Sequence, residues 1–200
     1  IKRYKGKNIL DAGCTLNHNY LIKKILIYFE NLYFANIYEE KFIYKSKNVH
    51  YVKSDISKKI KYSKNFFDIV TCISVLEHIG FDNSLYNNKN EKSKEPKGNK
   101  LYLKAIKELI RVTKKGGSIL LTIPCSKKFN FKNYQQFNVN DLKSIQKKFK
   151  KNKFIISYYK FSNGSWRKTR LSNCNTVEPI YKGNLGLSSN SVAFIEVIKR

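Results

Sequence analysis

Asn8-Ile9-Leu10-Asp11-Ala12-Gly13-Cys14-Thr15-Leu16-Asn17 is the stretch that decides the fold. Ile9 and Leu10 make a short apolar run, which Asp11 and Gly13 end. After Leu16 the apolar residues recur at steps of three and four (Leu21, Ile22, Ile25, Leu26, Phe29), and this spacing predicts a helix. A strand, a tight glycine turn and a helix open a βαβ unit, so the chain is expected to be α/β. At such a turn the helix N-terminus presents unpaired N–H groups above the sheet edge. Gly13, with no Cβ, lets the backbone come close to a ligand. The dinucleotide pattern G-x-G-x-x-G is not met, because Gly13 stands alone, which argues against NAD or FAD. No G-K-[ST] follows, so a nucleoside-triphosphate loop is also excluded.

The totals bound the rest. A chain of 200 residues is expected to form one domain, 1–200, with a proper core. The net charge of +26 raises a nucleic-acid or anionic-membrane reading. The excess is nearly all Lys, spread from end to end, in a chain rich in Asn, Ile and Tyr. Compositional drift with a solvated lysine surface is therefore preferred over a dedicated phosphate-binding face. No membrane span is expected, since Leu21 to Phe29 is broken by Lys23 and Lys24. Cys14, Cys72, Cys125 and Cys174 lie far apart with no C-x-x-C pair, so neither a zinc site nor a disulfide framework is indicated. A reduced, cytoplasmic protein without a signal peptide fits this usage. The chain begins at Ile1 and contains no Met, so its N-terminus is expected to be trimmed.

Along the chain, Tyr33 to Tyr38 reads as a second strand ending at Glu39 and Glu40. An acid at that place accepts hydrogen bonds from ribose hydroxyls in doubly wound folds. Glu39 is the first choice and Glu40 the register alternative. Asn48 to Lys53 alternates as a third strand before Ser54-Asp55-Ile56, where Asp55 would also serve as a helix N-cap. His50 is an ordinary half-exposed strand residue. Asp68 precedes a buried strand, Ile69 to Ile73. Residues 81–99 read as a long polar loop, a candidate lid from which Asp82 and Tyr86 could reach substrate. Leu101 to Val112 is an amphipathic helix, with Gly116-Gly117 as its C-cap. Ser118 to Ile123 is a strand closed by Pro124, and Tyr134-Gln135-Gln136-Phe137 is irregular. Asn140 or Asp141 should cap a helix running to Phe149. Phe154 to Tyr159 and Val192 to Ile198 are the last strands, with Trp166, Arg167 and Arg170 in the loop between them.

Three stretches carry a resemblance. Asp11-Ala12-Gly13-Cys14-Thr15 resembles the first motif of class I S-adenosylmethionine-dependent methyltransferases, acidic-x-G-x-G-x-G, with Thr15 and Asn17 where glycine is preferred. Phe67-Asp68-Ile69-Val70 followed by Ser74-Val75-Leu76-Glu77-His78 resembles the type 11 group of those enzymes, whose pattern is F-D-x-V and then L-E-H. Arg111 to Pro124 resembles that group's R-V-L-K-P-G-G-x-L-L-x-x-P, with Lys115 in place of proline. The resemblance implies a Rossmann-like doubly wound sheet of about seven strands, mostly parallel with an antiparallel C-terminal strand. It implies S-adenosylmethionine as cofactor, held by Asp11, Gly13, Cys14, Glu39, Asp55, Ile56 and Ser74. In that pattern Asp55 meets the adenine amino group and Ile56 packs on the ring. Glu77 to Asn83 looks like a branch linked to sugars and cell-surface polysaccharides.

Methyl transfer from a sulfonium is an in-line displacement, so the enzyme aligns the reactants and manages one proton. His78 is the natural general base for a hydroxyl, with Glu77 beside it. Tyr134, Gln135, Gln136 and Trp166 would form a polar-aromatic rim. O-methylation of a small or glycan hydroxyl-bearing molecule is the expected activity. A metal at Glu77 and His78 is not expected, because adjacent helical residues diverge. Two alternatives stay open. A nucleic-acid methyltransferase is disfavoured: Ser74-Val75-Leu76-Glu77 replaces the N-P-P-Y motif, and Cys125 lacks a partner P-C after the fourth strand. A degenerate, non-catalytic cofactor-binding module is the other. The oligomeric state is not legible.

Overall fold

The computed structural model describes residues 6–81, 83, 100–127, 129–130, 134–174, 180–181 and 187–200. Its strands are β1 (Gly6–Ala12), β2 (Phe29–Asn36), β3 (Val49–Lys53), β4 (Phe67–Ile73), β5 (Thr113–Pro124), β6 (Phe129–Asn130), β7 (Gln135–Gln136), β8 (Lys153–Ser162), β9 (Ser165–Thr169), β10 (Ile180–Tyr181), β11 (Leu187–Ser188) and β12 (Ser191–Ile198). Its helices are α1 (Asn19–Ile25), α2 (Tyr102–Val112), α3 (Val139–Lys148) and α4 (Leu171–Cys174), with a 3-10 turn at Leu76–His78.

Eight strands form one sheet in the order β3-β2-β1-β4-β5-β12-β8-β9. β1 to β5 run parallel, while β12 is antiparallel to both β5 and β8, and β9 pairs antiparallel with β8. Successive strand residues face opposite ways, so Ile9 and Leu10 enter different cores. The larger core lies under α2 and α3 and holds Leu10, Val70, Ile119, Leu121, Ile195 and Ile106. The smaller lies under α1, around Ile9, Ile22, Ile25, Phe34 and Leu120. β1 and β4 are buried on both faces, which is why they read as continuous apolar runs.

Several boundaries differ from the sequence reading. The first helix stops at Ile25, and Phe29 already opens β2. Phe29 fits the helical spacing, but it equally fits the first inward position of a strand, and burial at 3% exposure settles it there. β2 then ends at Asn36, two residues before Tyr38. Gly116 and Gly117 do not cap α2. Its chain turns at Thr113 directly into β5, and the partner register jumps from Phe67↔Thr113 to Ile69↔Ser118. Lys114 to Gly117 bulge out of that pairing, and a Cβ on Gly117 would come within 2.6 Å of the Asp68 carbonyl. α3 is capped by Asn138, not Asn140 or Asp141: its side chain accepts from the Asp141 N–H, and the Asp141 carboxylate accepts from the Asn138 N–H. The loop expected around Trp166 contains β9, joined to β8 through Asn163-Gly164, so the sheet has eight strands instead of about seven. The candidate lid at 81–99, with Asp82 and Tyr86, lies outside the described residues apart from Phe81 and Asn83.

Candidate active site

β2, β1 and β4 are neighbouring parallel strands, so their C-terminal ends lie side by side, and the backbone there is strained. Gly13, Cys14 and Ser74 take φ of +106, 58 and 52, a left-handed region that costs ordinary residues of order 1 kcal/mol or more. A Cβ at Gly13 would collide with the side chain of Val75, so the β1 and β4 turns are packed against each other through this glycine.

Asp11 is fully buried beneath the turn. Its Oδ1 accepts from Thr71 Oγ1 at 2.6 Å and its Oδ2 from the Leu16 N–H at 2.7 Å. Burial pushes its pKa up to about 6 against those two hydrogen bonds, with the Glu40 charge adding to the rise. Asp11 therefore braces the loop from below. The residues standing in place of motif glycines are also committed to the protein. Thr15 Oγ1 donates to the Ile73 carbonyl at 2.9 Å. The Asn17 amide donates to Glu40 Oε2 at 2.8 Å and to the Phe42 carbonyl at 2.9 Å, while its oxygen accepts from Tyr51 Oη.

The two candidate ribose acids are separated clearly. The Glu39 side chain is 86% exposed, 4.0 Å from Lys53. Glu40 is half-buried and takes hydrogen bonds from both Asn17 and Asn36, the latter at 2.5 Å. Because β2 ends earlier than expected, the acid that turns back to the Gly13-Cys14 loop is Glu40, while Glu39 points to solvent. Burial, then the Glu40 and Asp11 charges, raise the Cys14 thiol far above its usual range. Asp55 is half-buried, its Oδ1 bonded to the N–H and hydroxyl of Ser57 and its Oδ2 3.3 Å from Lys58. Ile56 is buried behind it. Ser74 is exposed, its N–H 3.0 Å from Thr122 Oγ1.

A family model described as a methyltransferase domain matches residues 10–121. The chain belongs to this methyltransferase family. It is an S-adenosylmethionine-dependent enzyme. No curated protein sequence matches it. Among solved structures it is similar to a SAM-dependent methyltransferase from Methanosarcina mazei (11% identity, 98% of this chain and 94% of that one, TM-score 0.59). It is also similar to the N-methyltransferase NodS from Bradyrhizobium japonicum, solved with S-adenosylhomocysteine (8%, 99% and 80%, TM-score 0.53). A third is 1,6-didemethyltoxoflavin-N1-methyltransferase from Burkholderia thailandensis, solved with its acceptor and S-adenosylhomocysteine (10%, 98% and 72%, TM-score 0.57). At these identities the likeness speaks for the fold.

Beyond β4 of the methyltransferase, Glu77 and His78 part company within the 3-10 turn. His78 is half-buried, its ring 5.8 Å from that of Tyr134. Glu77 points inward, and burial pushes its pKa up to about 8. Glu77 Oε2, Ser126 Oγ and both amide atoms of Gln136 are buried with no hydrogen-bond partner among the described residues. They occur where the 3-10 turn, β5 and β7 meet. Tyr134, Gln135 and Gln136 are thus buried, not a rim. Trp166 is not with them: it lies on β9 at the sheet's far edge, facing a groove with Thr122, Tyr159, Val192 and Phe194. The sequence did hold a signal for that strand, an Asn-Gly pair between alternating residues, which marks a two-residue hairpin. Among the described residues no three His, Cys, Asp or Glu side chains gather as a metal site, and no helix is long and apolar enough to cross a membrane.

Proposed function

We propose that this methyltransferase methylates a hydroxyl of a small, hydroxyl-rich acceptor, such as a sugar or a cell-surface polysaccharide precursor. The observation that carries the reading is the set of buried polar atoms without partners beside His78. Native proteins rarely leave such atoms unpaired, so a site that does so is built to be completed by a polar ligand. Glu77, protonated below about pH 8, offers an O–H donor as well as an acceptor; Gln136 offers both kinds and Ser126 a hydroxyl. A polyol matches that mixture better than an apolar amine. His78, next to Glu77 in the 3-10 turn, would take the proton from the attacking hydroxyl.

The residues also fit the cofactor. Glu40 keeps lone pairs beyond those used by Asn17 and Asn36, and would take the ribose hydroxyls. Ile56 would pack on adenine with Asp55 at its amino group, and the strained Gly13-Cys14 turn and Ser74 would border the methionine part. S-adenosylmethionine supplies an electrophilic methyl group. Cys125 does not favour the nucleic-acid alternative, because burial pushes its thiol up to about 12, opposite to what a nucleophile needs.

The test incubates the protein and labelled S-adenosylmethionine with panels of sugars, nucleotide sugars, amines and RNA, and locates the methyl group by mass spectrometry. Methyl on a sugar oxygen is expected, and His78→Ala should cut turnover by about 10²–10⁴ with cofactor affinity kept. Methyl on nitrogen or carbon would overturn the acceptor class. Full activity in His78→Ala would remove the base.

A further inference from the structure

The hairpin of β8 and β9 has two unlike faces. Phe154, Ile156 and Tyr158 turn into the larger core. Ile155 and Tyr159 turn the other way, and the register sets Val192 opposite Tyr159 and Phe194 opposite Ser157 on that same side. The smaller core on this side reaches Leu120 on β5, with Phe194 of β12 half-buried against its edge. Beyond it, among the described elements, no helix lies over β12, β8 and β9. An open groove of about 390 Å³ results, lined by Thr122, Tyr159, Trp166, Val192 and Phe194. Ile155, Tyr159 and Trp166 are 43%, 37% and 50% exposed. A contiguous apolar face of this kind marks an interaction site, unlike single scattered residues.

The charge around it is one-sided. Exposed Lys153 on β8 and Lys168 on β9 share the face of Ile155 and Tyr159, and the sequence from residue 142 to 177 contains no Asp or Glu. Arg167, Lys168 and Arg170 are exposed on or beside β9, the sheet's edge strand; Lys168 stands opposite Tyr159, on the groove side, and Arg167, opposite Lys160, on the other face of that edge. Glu196, on the same side in β12, is buried against Ser118 and does not offset them.

We propose that this face docks the protein peripherally on an anionic lipid surface. Trp166 and Tyr159 are residues of the headgroup layer, Ile155 and Val192 suit the acyl boundary beneath it, and the flanking cations meet lipid phosphates. The pairing of a basic patch with inserted apolar side chains supplies the two signals that stable peripheral binding needs. A second copy of the chain is a poor occupant, because two surfaces of net charge +26 repel. Single-stranded nucleic acid would favour flat rings free to stack. Here Trp166 meets Phe161 at 57°, and the aliphatic Ile155 and Val192 offer a base no π face. The inference does not depend on the acceptor.

Trp166 is the only tryptophan, so its emission reads this face directly. The full chain is mixed with vesicles of phosphatidylcholine alone, and with vesicles containing about one third phosphatidylglycerol, and binding is read by co-sedimentation and fluorescence. Expected is binding to the anionic vesicles, at least about tenfold tighter than to neutral ones, with a blue shift of Trp166 and release at about 1 M salt. A triple Arg167→Gln, Lys168→Gln, Arg170→Gln variant should lose most of it, and Ile155→Ser should lower affinity several-fold. A charge-matched Lys104→Gln, Lys107→Gln, Lys115→Gln variant, with two of its changes on α2 across the sheet, should keep it. Circular dichroism melts confirm that each variant is folded. Equal loss in both triple variants, binding without a change in Trp166, or a Trp166 response to oligouridylate but not to vesicles would each overturn the proposal.

Discussion

The two edges of the sheet treat buried charge in opposite ways. At the N-terminal edge, Asp68 accepts from the N–H groups of Lys7 and Asn8 and from Lys114 Nζ at 2.6 Å. Partial burial disfavours its charge, yet these partners outweigh it and hold the carboxyl below its usual range. Lys199, also buried, donates to Asn65, Arg111 and Thr113, filling the capacity of its ammonium. At the C-terminal edge Asp11 and Glu77 are raised by burial, and Glu77, Ser126 and Gln136 keep unpaired atoms. The first edge is finished as a folded structure. The second keeps buried polar atoms unpaired among the described residues, the groups that the proposed acceptor would complete.

The largest expected effect concerns pH. Glu77 keeps its proton to about pH 8 in the folded chain but loses it near 4.5 in the unfolded one. The folded state therefore binds more protons across that window, and stability should fall as pH rises through it, by an amount on the kcal/mol scale. Asp11, raised from 3.8 to about 6, contributes the same sign over the lower part. Asp68 has the opposite sign: its stabilising effect is present above its ordinary 3.8 and is lost as pH falls further. Urea melts of Glu77→Gln between about pH 5 and 8 should show a flatter profile than wild type. An unchanged slope would show that Glu77 is not the group responsible.

Next comes Asp68→Ala, which strands two backbone donors and Lys114. A stability loss of about 1–3 kcal/mol is expected, with no change in cofactor affinity. Gln136→Leu and Ser126→Ala remove groups that lack partners, so the fold should lose nothing measurable while KM for the acceptor rises. A destabilised Gln136→Leu would mean that the cluster is already satisfied, and the contrast between the edges would collapse.

How far the site could be read from sequence depends on what fixes each residue. Asp11-Ala12-Gly13 and Phe67-Asp68-Ile69-Val70 are short local patterns, and their strand and turn placement followed from them, whereas Glu77 and His78, expected to start a helix after the fourth strand, stand in a 3-10 turn. The choice between Glu39 and Glu40 hung on where β2 ends. That is set by the pairing of β2 with β1 and β3, up to Ala12↔Ala35 and Asn36↔Lys53, which no local pattern contains. Gly116-Gly117 was ambiguous for a related reason: a glycine pair suits a helix cap and a bulge equally, and the approach of Asp68 decides it. The separation of Trp166 from Tyr134 follows from the sheet order, with β12 inserted between β5 and β8.

A pair of neighbouring variants sharpens the ribose assignment. Glu40→Ala should weaken S-adenosylhomocysteine binding by about 1–3 kcal/mol. Glu39→Ala, at an exposed side chain, should change it by no more than about 0.5 kcal/mol. Equal losses would return the acid to an undecided register.

Titration calorimetry of the wild-type protein with S-adenosylhomocysteine, and separately with NAD, tests the central claim that the C-terminal edge is a cofactor site. The account predicts saturable heat with the first ligand at a Kd of about 1 μM to 1 mM, corresponding to roughly 8 to 4 kcal/mol of binding free energy, and none with NAD. Heat with NAD and none with S-adenosylhomocysteine would contradict it.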